Sequence, residues 1–530
     1  MKLYKTLLFI FVLLALLAGL TLLMPEGGLQ IGPLHLNFPT LREVLTIGSN
    51  DGDSDEEEDL PPEQLLEARM ASLMAAQDST FNDFCTNSPI RILLPKIHHY
   101  RTDTLTCADY AQYTDSMRKA CDSIVMHLDT VDAMMHIDTL YLAYRDSITD
   151  EVDGAYLDPF FEQLDSARTH HVRIVHYGDS QIEEDRITSG LREHFQEQFG
   201  GGGCGMMPAQ RWVTKMTCMQ NTSPELSYRL AYGSAEMRAR HNGYGPMATV
   251  AHTAGTVRIT FTMSSRERFP HCYDFDRVSV LRSNPDGSGL QYITQDYDTM
   301  QHRATVTVDG PADIYGILLD QKTGVSMDNV PMRGSSGNVF TRITRNTIVP
   351  FFEHENVGLI ILQYGGNSVP AMRNEKALAT FCSEIQKQVR FFQQVAPQAR
   401  ILFIGPSDMS TRVGGVMKTY PLLPQFVEML GQAITECGAA FWNMYEAMGG
   451  EGSMVQWVNA RPQLAGEDYV HFTHKGAERV SDLLYETIDT YYKYYKFRRG
   501  ELDIELTDDN EQDNDTAADA AAVPADGTAL

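Results

Sequence analysis

The sequence predicts an α/β protein with a parallel sheet covered by helices on both faces, interrupted by an all-β module. Two observations predict it. Continuously apolar runs such as "VGLIILQYGG" and "ARILFIGP" alternate with helical patterns such as "NEKALATFCSEIQKQVRFFQQVAP". Strands buried on both faces read as such unbroken runs. From about 212 to 330 the pattern changes to short runs rich in Val, Ile, Thr and Tyr, among them "TVRITFTM" and "RATVTVDG", separated by turns such as "NPDGSG". That is the signature of a sandwich or jelly roll.

At 530 residues the chain is long enough for two or three domains. It opens with Lys2 and Lys5 before an uncharged apolar run from Leu7 to Met24. That run is about the length that crosses a bilayer, and it lacks a convincing cleavage site. Residues 1–25 are therefore expected to be an uncleaved signal anchor rather than a cleaved signal peptide. The basic start keeps that end in the cytoplasm and the body outside. The expected location is a bacterial inner membrane with the body in the periplasm. Residues 26–60 read as a linker ending in the acidic run "DGDSDEEED", and 61–150 as a helical region. The α/β domain begins at 151–211, the β module fills 212–332, and 333–497 completes the α/β domain. Residues 498–530 read as a disordered acidic tail.

The formal charge of -27 argues against a nucleic-acid binder that works through phosphates. Eight cysteines occur without a C-x-x-C, which excludes a zinc ribbon or a thioredoxin-type motif. The pairs His98–His99 and His170–His171 have no partner ligands at fixed spacing, so they read as surface histidines. "FGGGGCG" (199–205) lacks the Gly-Lys-Ser/Thr of a phosphate loop and reads as a flexible helix exit near the site mouth.

Chemistry concentrates in three places. "VRIVHYGDSQIEEDRI" places Asp179 and Ser180 where a strand turns into a helix. They are either ordinary helix caps or a nucleophile and its neighbour. "GEDYVHFTHKGAERV" supplies Asp468 and His471, three apart, as orienting carboxylate and base, with Glu467 and His474 as rivals. "MRGSSGNVF" and "LQYGGNSV" supply turn glycines and Asn367, donors suited to an oxyanion.

These blocks, in this order, resemble the SGNH (GDSL) hydrolase family over about 150–210 and 333–497. The resemblance implies a flavodoxin-like three-layer α/β/α sandwich, with Ser180 as nucleophile, His471 as base and Asp468 as its partner. It implies an oxyanion hole of the Ser180 N–H, a glycine of "GSSG" (Gly337 over Gly334) and the Asn367 side chain. No cofactor and no metal are called for. The family usually has Asp after the oxyanion Asn. Ser368 stands there instead, which puts the support of that loop in question.

The first block is similar to that of exported bacterial members acting on O-acylated polysaccharide or peptidoglycan. The expected function is a serine esterase removing acetyl groups from a glycan, with the β module as a carbohydrate-binding unit. The alternatives are an O-acyltransferase working with a membrane acyl-donor partner, and a non-catalytic glycan-binding protein.

Overall fold

The computed structural model describes residues 29–31, 34–36, 75, 78–98, 150–238 and 243–501. The expected anchor (1–25), the acidic run, most of the 61–150 region and the tail beyond 501 lie outside the described residues. Among those described, no helix is long and apolar enough to cross a membrane. The chain forms two compact units, 1–80 and 81–530. In the first, strands Leu29–Ile31 and Leu34–Leu36 pair antiparallel, within the stretch expected to be only a linker.

The second unit is built on a six-stranded sheet. Its strands are β1 (Ile92–Leu93), β2 (His171–Gly178), β3 (Gly324–Pro331), β4 (Val357–Gln363), β5 (Arg400–Ile404) and β6 (Ala440–Trp442), in the order β3-β2-β4-β5-β6-β1. All neighbours are parallel except β1, which runs antiparallel to β6.

Strand periodicity divides the sheet between two cores. Val175, Tyr177, Ile360, Leu362, Ile401 and Phe403 face one core, with helices α3 (Arg345–His354), α4 (Glu375–Val395) and α5 (Leu423–Glu436). Val172, Ile174, Leu359, Ile361, Leu402 and Ile404 face the other, with α1 (Asp158–Asp165), α2 (Thr188–Phe199) and α6 (His474–Arg498). Two cores on opposite faces make three layers. The long helices follow their sequence patterns. Asn374 caps α4 by accepting from the Ala377 N–H, and Leu378, Cys382, Ile385, Val389 and Phe392 form its buried stripe.

Two expectations need correction. The region 61–150 is not helical throughout: residues 81–87 are helical, but Ile92–Leu93 joins the central sheet, and Lys96–His98 pairs with Asp150–Val152. The apolar "RILLP" is held at the sheet edge by Tyr491, whose hydroxyl accepts from the Ile92 N–H at 3.2 Å and donates to the Ile92 carbonyl at 2.9 Å.

The β module also has different limits. Its antiparallel sheets run from Gly205–Met207 to Ala312–Asp320 and share a core that includes Ile259, Phe261, Val280, Ile317 and Leu319. The next strand, Gly324–Pro331, expected in the module, is instead β3 of the parallel sheet. Its Ser, Asp, Asn and Pro hide it from an apolar-run reading. The strand is nevertheless buried along its whole length, because its polar groups find partners: Asp328 accepts from Arg173 and Asn329 donates to the Ile182 carbonyl.

The glycine run after α2 is not a flexible exit. Residues 202–205 are buried, and a Cβ on Gly203 or Gly205 would fall within 2.0 Å of the Leu319 carbonyl oxygen or 2.6 Å of that of Met327. Only glycine permits that approach.

Candidate active site

Strand β2 ends at Gly178, and the chain turns at once into a short 3₁₀ helix, Ser180–Ile182. Asp179 is its cap: Oδ1 accepts from the Gln181 N–H at 2.9 Å. The two readings of this turn thus fall on different residues. Asp179 caps, and Ser180 is left to point elsewhere. A Cβ on Gly178 would meet the Ile182 side chain at 2.9 Å, so the turn is closed tightly by that isoleucine.

Ser180 Oγ lies 2.8 Å from His471 Nε2, and His471 Nδ1 lies 2.7 Å from Asp468 Oδ2. The other Asp468 oxygen accepts from the backbone N–H groups of Val470 and His471, both at 3.0 Å. One carboxylate therefore shapes the loop and orients the imidazole. Burial pushes the Asp468 carboxyl up, but these hydrogen bonds outweigh it and the net shift is downward. Tyr469, inside the same loop, takes φ of 57°, a conformation rare for a bulky side chain. His474 sits exposed at the first position of α6, and Glu467 is also exposed; neither hydrogen-bonds to His471 or Ser180 among the described residues.

The loop after β4 supplies the next group. Gly365 takes φ of 125°, which turns the chain into the short helix Gly366–Ala371. Asn367 Nδ2 donates to Asp179 Oδ2 and to the Ser335 carbonyl, both at 3.1 Å. Ser368 Oγ donates to Ser336 Oγ at 2.9 Å. The serine found in place of the usual Asp thus ties this loop to the "GSSG" turn.

Gly337 has φ of 80° and donates its N–H to Ser335 Oγ at 3.1 Å. A Cβ there would strike the Tyr364 ring at 2.6 Å. Neither Gly337 nor Gly334 lines the cavity beside Ser180. The Ser180 N–H has no intramolecular hydrogen-bond partner among the described residues.

Ser180, Asn367 and His471 open onto a cavity of about 190 Å³, whose walls include Tyr364, Pro370, Pro406, Met409, Met444 and Val470. The apolar walls come from loops at the carboxyl ends of β4, β5 and β6, where open α/β sheets bind ligands.

Several participants escape sequence reasoning. Gln181 donates to the Val470 carbonyl at 2.6 Å and so joins the serine turn to the histidine loop. Asp179 is buried, and burial raises its carboxyl to about 6. Pro406 and Met409 follow a strand legible in the sequence, but nothing in their spacing marks them as wall residues.

No protein-family model matches the sequence, and no curated protein matches it. Among solved structures, a peptidoglycan O-acetylesterase matches with a TM-score of 0.54 at 20% identity, over 63% of this chain and 96% of that one. That likeness is one of fold. Two others are slighter: an acetyl xylan esterase (TM-score 0.25, 10% identity, 31% of this chain and 81% of that one) and the periplasmic domain of a Salmonella ser. Paratyphi A lipopolysaccharide acetyltransferase (TM-score 0.23, 11% identity, 32% and 74%).

Proposed function

From the SGNH hydrolase fold that this chain carries, we propose that it is a serine esterase removing O-acetyl groups from a glycan outside the cytoplasm. The observation that carries the reading is the continuous Ser180–His471–Asp468 chain, at 2.8 and 2.7 Å, opening onto the 190 Å³ cavity. A cavity of that size suits an acetyl group, with the sugar left at the mouth. Drug-sized ligands occupy roughly 300–1,000 Å³.

The steps follow from the geometry. Ser180 Oγ attacks the ester carbonyl as His471 Nε2 takes its proton, and Asp468 holds the resulting imidazolium. The oxyanion develops beside the Ser180 N–H and Asn367 Nδ2. In the resting enzyme both Asn367 N–H groups are engaged, so one bond, to Asp179 or Ser335, is shared or exchanged as the oxyanion forms. His471 then returns the proton to the departing sugar oxygen. A water, deprotonated by His471, attacks the acyl-Ser180, and His471 returns that proton to Ser180 Oγ as acetate leaves.

Solvent access favours hydrolysis over transfer. The His471 side chain is 37% exposed and that of Asp468 is 52% exposed, whereas transfer gains from excluding water. A glycan substrate is supported by the fold shared with a peptidoglycan O-acetylesterase. In this reading the β module holds the polymer, and the Leu7–Met24 run anchors the chain in a bacterial inner membrane with the body in the periplasm. A membrane acyl-donor partner belongs only to the transferase alternative.

The test is turnover of an acetylated oligosaccharide, with free acetate and acetylated acceptor both measured. Acetate release should be abolished by Ser180→Ala and His471→Ala and nearly untouched by His474→Ala. Release that is negligible until an unacetylated acceptor is added would mean transfer. Full activity in Ser180→Ala would end the serine mechanism.

A further inference from the structure

A second cluster lies at the far end of β2. His171 is the first residue of that strand and Gly178 the last, so the cluster stands about 25 Å from Ser180. There Arg173, fully buried, meets three buried carboxylates. It donates to Asp328 Oδ1 at 2.7 Å, to Glu355 Oε2 at 2.9 Å and to Asp320 Oδ2. One guanidinium thus faces three buried carboxylates, an excess of acidic over basic groups beside a cavity. Buried charge without a partner is strongly unfavourable.

Lys215, seated on the Cys204 and Met206 carbonyls, offsets part of the charge at Asp328, but the groups nearer Asp320 and Glu355 are otherwise engaged or exposed. Arg277 borders the same cavity but is paired with Asp296 at 2.7 and 3.0 Å. His354 Nε2 is 3.9 Å from Glu355 Oε1 and largely exposed. Among the described residues, Asp320 Oδ1 has no hydrogen-bond partner, although Asp320 is only 2% exposed, and Asp328 Oδ2 has none either.

His171 completes the arrangement. Its Nε2 is held by Ser326 Oγ at 2.9 Å, and the ring also meets the Glu355 backbone, a contact that a bound ion would replace. One ligand atom each from His171, Asp320 and Glu355 lie within 4.8 Å of one another. All three residues line a cavity of about 320 Å³. Atoms bound at about 2.1 Å around a tetrahedral centre stand roughly 3.4 Å apart, so modest side-chain closure suffices.

We propose that His171, Asp320 and Glu355 bind one divalent first-row transition ion, of the Zn²⁺ or Mn²⁺ type. An imidazole with two carboxylates suits such ions. Its positive charge offsets the acidic excess of the cluster. The site joins the end of the β module (Asp320) to the parallel sheet (His171) and to the residue that closes α3 (Glu355). Its role is to fasten the module to the sheet, since it lies too far from Ser180 to touch substrate there.

The full chain, stripped with a chelator and dialysed against ZnCl₂ or MnCl₂, should retain one equivalent by elemental analysis, with a raised melting temperature. His171→Ala leaves the Arg173 pairs intact and should weaken binding at least tenfold. Asp320→Asn should do the same, and His471→Ala should keep the ion, which separates this site from the catalytic histidine. Equal retention by wild type and His171→Ala would overturn the proposal. So would no retention of either ion in excess, since protons would then supply the missing charge.

Discussion

Asp179 carries two loads. It caps the serine turn through Gln181 and receives the Asn367 amide. Burial raises its carboxyl in the folded state to about 6, well above the ordinary carboxylate range. The folded state therefore binds more protons between roughly pH 4 and 6, and stability falls as pH rises through that window. Above it, the cost of keeping the buried charge is on the order of 3 kcal/mol. Asp179→Asn removes the titration. Its urea midpoint, compared with wild type, should improve between pH 4.5 and pH 7.5, while its kcat falls because an amide then faces the Asn367 amide. Parallel pH curves for the two proteins would refute this. At the residue scale, the catalytic candidates were legible because each ends or follows a readable element: Ser180 after "VRIVHYG", Asn367 after "VGLIILQ", Asp468 and His471 before the last helix. His171 was not legible as a ligand, since Asp320 and Glu355 are far along the chain and only the fold brings them together.

The elements that present His471 are joined by contact as close as backbone allows. Thr473 caps α6 by accepting from the Gly476 N–H at 3.2 Å, and its own N–H reaches the Leu464 carbonyl at 3.0 Å. A Cβ on Gly476 would fall 1.8 Å from that carbonyl oxygen. Gly476→Ala must push α6 away from the loop that carries Asp468 and His471. We expect a loss of roughly 1–3 kcal/mol, as for other overpacked sites, together with a lowered kcat. Calorimetry beside ester turnover checks both; unchanged kcat in a destabilised protein would show that the loop moves independently of the helix. The helices and central strands were readable from period and apolarity. Strand β3 was not, because its Asp328 and Asn329 are stabilised by partners, Arg173 and the serine turn, that no local window contains. The short β1 escaped for a related reason: two residues become a strand only because Tyr491 and β6 wait for them.

At the scale of the molecule, the fold keeps the proposed catalytic and metal groups at opposite ends of one strand. The β module is inserted between β2 and β3, which are hydrogen-bonded neighbours. Its two ends are adjacent: Gly205 stands opposite Leu319, and the Val325 N–H donates to the Gly200 carbonyl at 2.8 Å. This adjacency has a consequence in time. As the chain emerges from the ribosome, β2 is made before either strand it pairs with, and it meets the first of them only after residues 179–323 have followed it. If the module folds first, it brings its two ends together and shortens the loop whose closure opposes pairing of β2 with β3. Pulse-labelled hydrogen exchange during refolding should find the strands between Thr249 and Asp320 protected before His171–Gly178 and Gly324–Pro331; the reverse order would reject it. The inserted module would then act as a clamp during synthesis, and the serine turn at the end of β2 would gain its final shape only after a separate domain had been completed.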